Sequence, residues 1–404
     1  MDSTWGLRSC EPLMLKRAEQ FHWHYCAGPI PPGHYDEAIQ WVAERARAIE
    51  GALALYDLGP IRHPGLSDVD LLLVLDDHFR DADRLRRLLY REFPARFKNV
   101  LLHDLYFIRR QELAFCFKWA PIRELNARWR EDELPGRMLN EDPTDLALFL
   151  LDIITDAYPW EFIQYLERPE LDEREVIGRL KGLGYCVDLL RRVGGRPSEE
   201  SRAFAEDIER LRERLFELSH ADRAEWILRL TQQAVAVSYQ LALEADRAVR
   251  ERWDLKLKGR LVLHSTRVAA LYADPAPDGA RYGRVRLRRT DYYTRLPAVY
   301  GYLVRKYASQ AGPVSRRLGH CMVDGLGLVQ PPPPSVVKAM ESRAYLRNAH
   351  QEWLNELGLG LVGFMTFGYR PLPRRGEPPW AKEIAGSLLG RVRERMLRRR
   401  LVRL

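Results

Sequence analysis

The stretch that decides the reading is Leu58-Gly59-Pro60, followed by Ser67-Asp68-Val69-Asp70 and then the apolar run Leu71-Leu72-Leu73-Val74-Leu75. Neighbours along an extended chain point to opposite sides, so Asp68 and Asp70 share one face at the mouth of a predicted strand. Two acids so placed are a means of holding divalent cations side by side, roughly 3.5–4 Å apart, against the attacking and leaving oxygens of a phosphoryl transfer. Gly59 upstream permits a turn of backbone to approach a triphosphate closely.

The flanking elements extend this pattern. Residues 99–109 read Asn-Val-Leu-Leu-His-Asp-Leu-Tyr-Phe-Ile-Arg, a predicted apolar strand with Asp104 in its middle. An aspartate inside such a run is costly to bury unless it is paired or binds a metal. Between the acidic strands, residues 79–93 place Leu85, Leu88, Leu89 and Phe93 at a helical period. Residues 34–50 also read as a helix, with Ile39, Val42 and Ala43 on one side. The order is helix, strand, glycine turn, acidic strand, helix, acidic strand.

That order, with Gly59 and Asp68-Val69-Asp70, resembles the nucleotidyltransferase (DNA polymerase β-like) superfamily over about residues 34–110. The resemblance implies an α/β (α+β) core, a mixed sheet with flanking helices. It implies Asp68, Asp70 and Asp104 as catalytic and metal-binding carboxylates for Mg²⁺ (or Mn²⁺), and a nucleoside triphosphate as donor. Asp104 takes the place of the family's third carboxylate, which binds the catalytic metal and helps take the proton from the attacking hydroxyl. Gly59, Arg62 and Ser67 are the candidate nucleotide contacts. The expected reaction moves a nucleoside monophosphate to an acceptor hydroxyl and releases pyrophosphate. Pro60 stands where the family usually has serine and lacks both a hydroxyl and an N–H; Arg62, His63 and Ser67 supply charge or a hydroxyl in the same loop. The alternative is a catalytically weakened relative that binds nucleotide or RNA as a regulatory module. Nucleotide-sugar glycosyltransferases also use Asp-x-Asp, but there the apolar strand usually precedes the acids, whereas here it follows them.

Composition bounds the rest. A chain of 404 residues is long enough for two or three domains. We divide it into an N-terminal extension (1–33), the nucleotidyltransferase-like core (34–142), a helical region (143–250), a basic mixed α/β region (251–330) and a C-terminal region with a basic helix (335–404). No run approaches the ~18 apolar residues of a spanning helix, and residues 1–8 lack the form of a signal peptide. The five cysteines are scattered and odd in number, which fits reduced thiols in a cytoplasmic protein.

Charge is divided unevenly. Residues 1–250 hold 35 Lys and Arg against 44 Asp and Glu, whereas residues 251–404 hold 29 against 12. A basic rear half points to an anionic partner: nucleic acid such as RNA, a phosphorylated substrate, or the acidic front half itself.

Past the core, helical periods dominate residues 146–154, 160–166, 174–193, 199–218 and 221–249, with breaks at Gly194-Gly195-Arg196-Pro197-Ser198 and at Ser219. Asp152, Asp156 and Glu161 read as ordinary polar-face residues. Residues 260–271 read as a strand. Arg284, Arg286 and Arg288 share one face of another, followed by Tyr292, Tyr293, Tyr300, Tyr302 and Tyr307. Arginine with tyrosine suits single-stranded nucleic acid; a charged edge strand beside packed tyrosines is the plainer reading. Pro331 to Pro334 form a linker, with Ser335 as the expected cap of a helix running to Leu357. Residues 358–369 read as a strand or hairpin, and residues 391–403 as the end of a basic helix. His22, His24 and Cys26 lie close together but lack a second cluster to complete a zinc site, and His103 faces away from Asp104.

Overall fold

The computed structural model describes residues 15–26, 28–87, 94–101, 105–118, 122–156, 160–258, 262–263, 270–272, 293–294, 327–328 and 331–357. Its centre is a five-stranded mixed sheet built from β2 (Ala52–Asp57), β3 (Leu71–Leu75), β4 (Tyr106–Arg109), β5 (Glu124–Arg130) and β6 (Arg137–Leu139), in the order β4-β3-β2-β5-β6. β3 runs parallel to β4 and antiparallel to β2; β5 is antiparallel to both β2 and β6. Every residue of β2 and β3 is buried, as expected of central strands covered on both faces.

The two faces divide by parity. Leu71, Leu73 and Leu75 pack with Tyr35, Ala38, Ile39, Val42 and Ala46 of α1 (Pro32–Arg47). Leu72 and Val74 pack with Tyr56, Ile108, Leu113, Cys116 and Phe117 on the other side. A one-residue slip of β3 would exchange these two sets and turn Asp68 and Asp70 into the apolar side against α1, so the acids ahead of the strand specify the register.

The helical region forms the largest core. It comprises α3 (Pro143–Asp156), α4 (Trp160–Glu167), α5 (Glu173–Arg192), α6 (Glu199–Arg214) and α7 (His220–Arg252). The predicted breaks are real caps: Ser198 and Ser219 each accept a backbone hydrogen bond, from Ser201 and Asp222. Part of the N-terminal extension belongs to this core. β1 (His22–His24) pairs in parallel with β7 (Glu170–Asp172), and Ala18 and Phe21 are buried with the helices. α8 (Pro334–Glu356) joins the two halves, burying Val336 and Met340 among the helices and Trp353, Leu354 and Leu357 against α1 and the sheet.

Several expectations need correction. Of the strand expected over 99–109, β4 (Tyr106–Arg109) is present and residues 102–104 lie outside the described part; Asn99 and Val100 lie in a turn after a short 3-10 helix (Ala95–Phe97). The helix expected over 79–93 begins at Ala82, where Asp81 caps α2 (Ala82–Arg86), because its carboxylate accepts from the Arg84 N–H; residues 88–93 lie outside the described part. β5 and β6 were not anticipated, although Leu125, Ala127 and Trp129 alternate with polar residues; a bulge against β2 leaves Leu125 and Ala127 on one face of the sheet and sends Trp129 to the other. Within the strand expected over 260–271, the described residues form two antiparallel pieces, β8 (Val262–Leu263) and β9 (Ala270–Tyr272). Ser335 does not cap α8: Pro334 is already its first residue, where a missing N–H costs nothing. The arginine face at 284–288, the segment 358–369 and the basic tail lie outside the described residues. Among those described, no helix is long and apolar enough to cross a membrane, and Cys26, Cys116 and Cys186 are free thiols.

Candidate active site

The acids sit where the extended backbone enters β3. Val69 is buried toward α1, so Asp68 and Asp70 on either side of it turn to the opposite face, half-exposed. The Val69 N–H donates to the Val100 carbonyl (2.9 Å), and the Leu58 N–H donates to the Asp70 carbonyl (3.1 Å). The glycine turn and the acid pair are therefore hydrogen-bonded neighbours.

The loop between them is fixed at its far end. The Tyr35 hydroxyl accepts from the Gly65 N–H and donates to the Ser67 carbonyl, both at 2.8 Å. Arg174, in the first turn of α5, donates to the carbonyls of Leu66 (3.0 Å), Ser67 (2.8 Å) and Asn99 (2.7 Å). The Leu66 and Ser67 N–H groups both donate to the His63 carbonyl. His63 in turn lies 3.4 Å from the Glu209 carboxylate on α6. Burial first, then the Arg212 guanidinium, lowers the His63 pKa, while Glu209 opposes them.

The near end is open. Gly59 has φ +145° and no atom within 4 Å of where a side chain would begin, so backbone there is accessible to a ligand. Arg62 is exposed on the same loop, and Ser67 is buried. Ser67's backbone is engaged at both its N–H and its carbonyl, which makes it an anchor of the loop. Asp104 and His103 lie outside the described residues. His22 and His24 are exposed on β1; His24 lies 3.8 Å from Glu170, and the Cys26 N–H donates to Glu173 (2.8 Å).

Four residues outside the motif belong to its surroundings: Arg174, which holds the loop, and Tyr106, Arg179 and Glu161. Tyr106 opens β4 opposite Leu72, two positions beyond Asp70 on the same face. Burial, then Asp70, then Asp68, push its phenol well above the ordinary tyrosine range, and Arg179 pulls it down. The two acids and Arg179 thus act on one phenol. Arg179 comes from α5 and pairs with Glu161 of α4 at 3.4 Å, so Glu161 is not an ordinary polar-face residue. Tyr106 had a signal in the sequence, since it stands two residues from Asp104. Arg174, Arg179 and Glu161 had none: each occupies a polar position of an amphipathic helix.

Half-exposed carboxylates on one face are hard oxygen donors, the chemistry of Mg²⁺, Mn²⁺ or Ca²⁺ with water and phosphate completing the shell. The donor set fits a divalent cation of that kind. Among the described residues, no group of three His, Cys, Asp or Glu gathers as a metal site.

In class the protein is mixed α and β, a five-stranded mixed sheet with flanking helices and an acid pair at the mouth of a central strand. No family model matches the chain, nor does any curated protein or solved structure.

Proposed function

We propose that the chain is a metal-dependent nucleotidyltransferase. One observation carries the reading: Asp68 and Asp70 share a face, hydrogen-bonded through the Asp70 carbonyl to the residue before Gly59, with Tyr106 of β4 on the same face. Asp68 and Asp70, with Asp104 as the third carboxylate, would hold Mg²⁺ or Mn²⁺. A cation there neutralises phosphate charge and polarises the α-phosphate toward attack.

The residues of the chain do the rest. Gly59 admits the triphosphate against bare backbone, and exposed Arg62 contacts its oxygens. Tyr35 and Arg174 hold the loop in place, so that binding does not have to order it. The acceptor oxygen bonds to the α-phosphorus as the bond to the pyrophosphate oxygen breaks; the hydroxyl proton passes to a carboxylate of the acid set, and pyrophosphate leaves. The acceptor is an alcohol of a small molecule, a protein side chain or an RNA end. The basic rear half supports an anionic partner such as RNA.

Pro60 favours a second reading, a nucleotide- or RNA-binding regulatory module. It is exposed beside Gly59 and offers phosphate neither an N–H nor a hydroxyl. Calorimetry with each nucleoside triphosphate and Mg²⁺, on wild type and Asp70→Asn, decides between them. Transfer predicts metal-dependent binding that the variant loses, and pyrophosphate release once an acceptor is present. Binding that ignores both metal and the substitution would support the regulatory module.

A further inference from the structure

α5 crosses the end of the sheet at which the acids stand and is tied there at both of its ends. In its first turn the Arg174 guanidinium donates to the carbonyls of Leu66, Ser67 and Asn99, at the mouth of β3. Toward its last turn Asp188 pairs with Arg123, and Arg192 donates to the Asn140 carbonyl (3.2 Å). Arg123 precedes β5 and Asn140 follows β6, and their backbones are joined by a hydrogen bond (3.0 Å). Asp57, the last residue of β2, pairs with Leu71 on one side and Asn126 on the other. The Leu58-Gly59 turn that follows it therefore lies between the two tethers of α5.

Arg174, Gly178, Lys181, Tyr185, Asp188 and Arg192 recur by four and three residues and form one stripe of the helix. The tethers belong to this stripe, so Gly178, Lys181 and Tyr185 between them are turned toward the strand ends. Lys181 stands two turns, about 10.5 Å of rise, beyond Arg174. Its ammonium lies 5.3 Å from the centre of the Tyr185 ring, and Tyr185 is 41% exposed. Gly178 is exposed, and no atom lies within 4 Å of where a side chain would begin; the same holds for Gly59. Glycine inside a helix is unfavourable relative to alanine; here it keeps the space beside Lys181 clear.

An ammonium binds phosphate as a point charge, and an aromatic ring stacks on any base. We infer that this stripe of α5 is the second wall of the nucleotide site: Lys181 binds the polyphosphate and Tyr185 stacks on the base, so that Tyr185 separates nucleotides from bare polyphosphate. The inference rests on reading the acid pair as a phosphate-handling site, and it adds to that reading the residues that select a nucleoside.

ATP and inorganic triphosphate, each with Mg²⁺, are titrated calorimetrically into the full chain as wild type, Tyr185→Ala, Tyr185→Phe, Lys181→Gln and Gly178→Leu, with thermal melts run on each. Loss of stacking predicts about tenfold weaker ATP binding for Tyr185→Ala and unchanged triphosphate binding. Tyr185→Phe keeps the ring and binds as wild type does. Lys181→Gln weakens both ligands by about tenfold. Gly178→Leu has room for its side chain in the free protein and gains helix propensity, so it melts higher yet binds ATP more weakly. Equal loss of both ligands in Tyr185→Ala, or loss of neither, overturns the inference. So does a Gly178→Leu protein that melts higher and binds ATP as wild type does, which also decides the matter if Tyr185→Ala does not fold. Failure of the metal-site reading shows separately in Asp70→Asn. ATP binding kept by Asp70→Asn and lost by Tyr185→Ala retains the second wall and removes the metal site, and the opposite pattern does the reverse. A wild type that binds neither ligand overturns both.

Discussion

The Tyr35 hydroxyl donates to the Ser67 carbonyl at 2.8 Å, immediately before the acid pair begins. A helix on one face of the sheet thus fixes the backbone that delivers Asp68 to the other face. The same oxygen accepts from the Gly65 N–H, so one phenol closes a turn and anchors it.

Replacing Tyr35 with phenylalanine removes both bonds and leaves the Gly65 N–H buried without this acceptor. The expected cost is about 1–3 kcal/mol, read from the urea midpoint at constant m-value. Nucleotide affinity should fall beyond the stability loss, because the freed loop must be ordered on binding.

Gly65 and Gly59 separate strain from crowding. Both have left-handed φ, +96° and +145°, but a Cβ at Gly65 would stand 2.5 Å from the Gly28 carbonyl and 2.9 Å from Phe216. Gly59 meets nothing. Gly59→Ala should cost only backbone strain, about 1–3 kcal/mol, and Gly65→Ala clearly more. Equal thermal shifts for the two variants would contradict the packing described here.

A buried acid holds α8 to the sheet. Glu112 accepts from the Arg109 backbone (2.8 Å) and guanidinium (2.5 Å), and His350 of α8 lies 3.0 Å away. Burial alone would raise its pKa; the His350 hydrogen bond and charge and the two Arg109 bonds together hold it below 4.5. A carboxylate depressed on folding stabilises above its unfolded pKa, and that stability is lost as pH falls through the lowered value. Glu112→Gln should cost about 3–5 kcal/mol at neutral pH. It should also flatten the acid limb of the stability profile below about pH 4.5, as followed by Trp353 fluorescence.

Two enclosed phenols contribute to the alkaline limit beside the buried thiols of Cys116 and Cys186, which burial also pushes up. Tyr106 and Tyr165 are both pushed well above the ordinary range, by burial first and then by Asp70 and Asp68 at one and Glu175 at the other. A raised pKa keeps the proton on the folded state, so this stability is complete below about pH 10 and is lost as pH rises toward the folded values. In a spectrophotometric titration these two phenols should ionise together with unfolding. Tyr106→Phe should ease the alkaline fall while leaving neutral-pH folding intact.

Much of the core was legible because its signals are local. β3 announced itself as five consecutive apolar residues, α1 and α5 to α7 by period, and the Ser198 and Ser219 caps by chemistry. The acid pair was legible because alternation along one strand fixes a shared face without any knowledge of its neighbours. β5 alternates as cleanly, with Leu125, Ala127 and Trp129 between polar residues, but lacks the unbroken apolar run that marks β3; ahead of β4, the apolar Val100 lies in a turn and reads like strand.

The sequence by itself determined the central strand β3, the helices α1 and α5 to α7, and the placement of Asp68 and Asp70 on one side of the chain, all properties of spacing within a few residues. Only the tertiary structure decided that Tyr35 and Arg174 clasp the loop, and that Tyr106 of β4 stands opposite Leu72 on the face of the acids. Those partners lie 30 to more than 100 positions apart, and a polar residue on a helix face carries no mark of what it will meet. Packing chooses the meeting, because each buried donor and acceptor must find its complement once the apolar faces have closed.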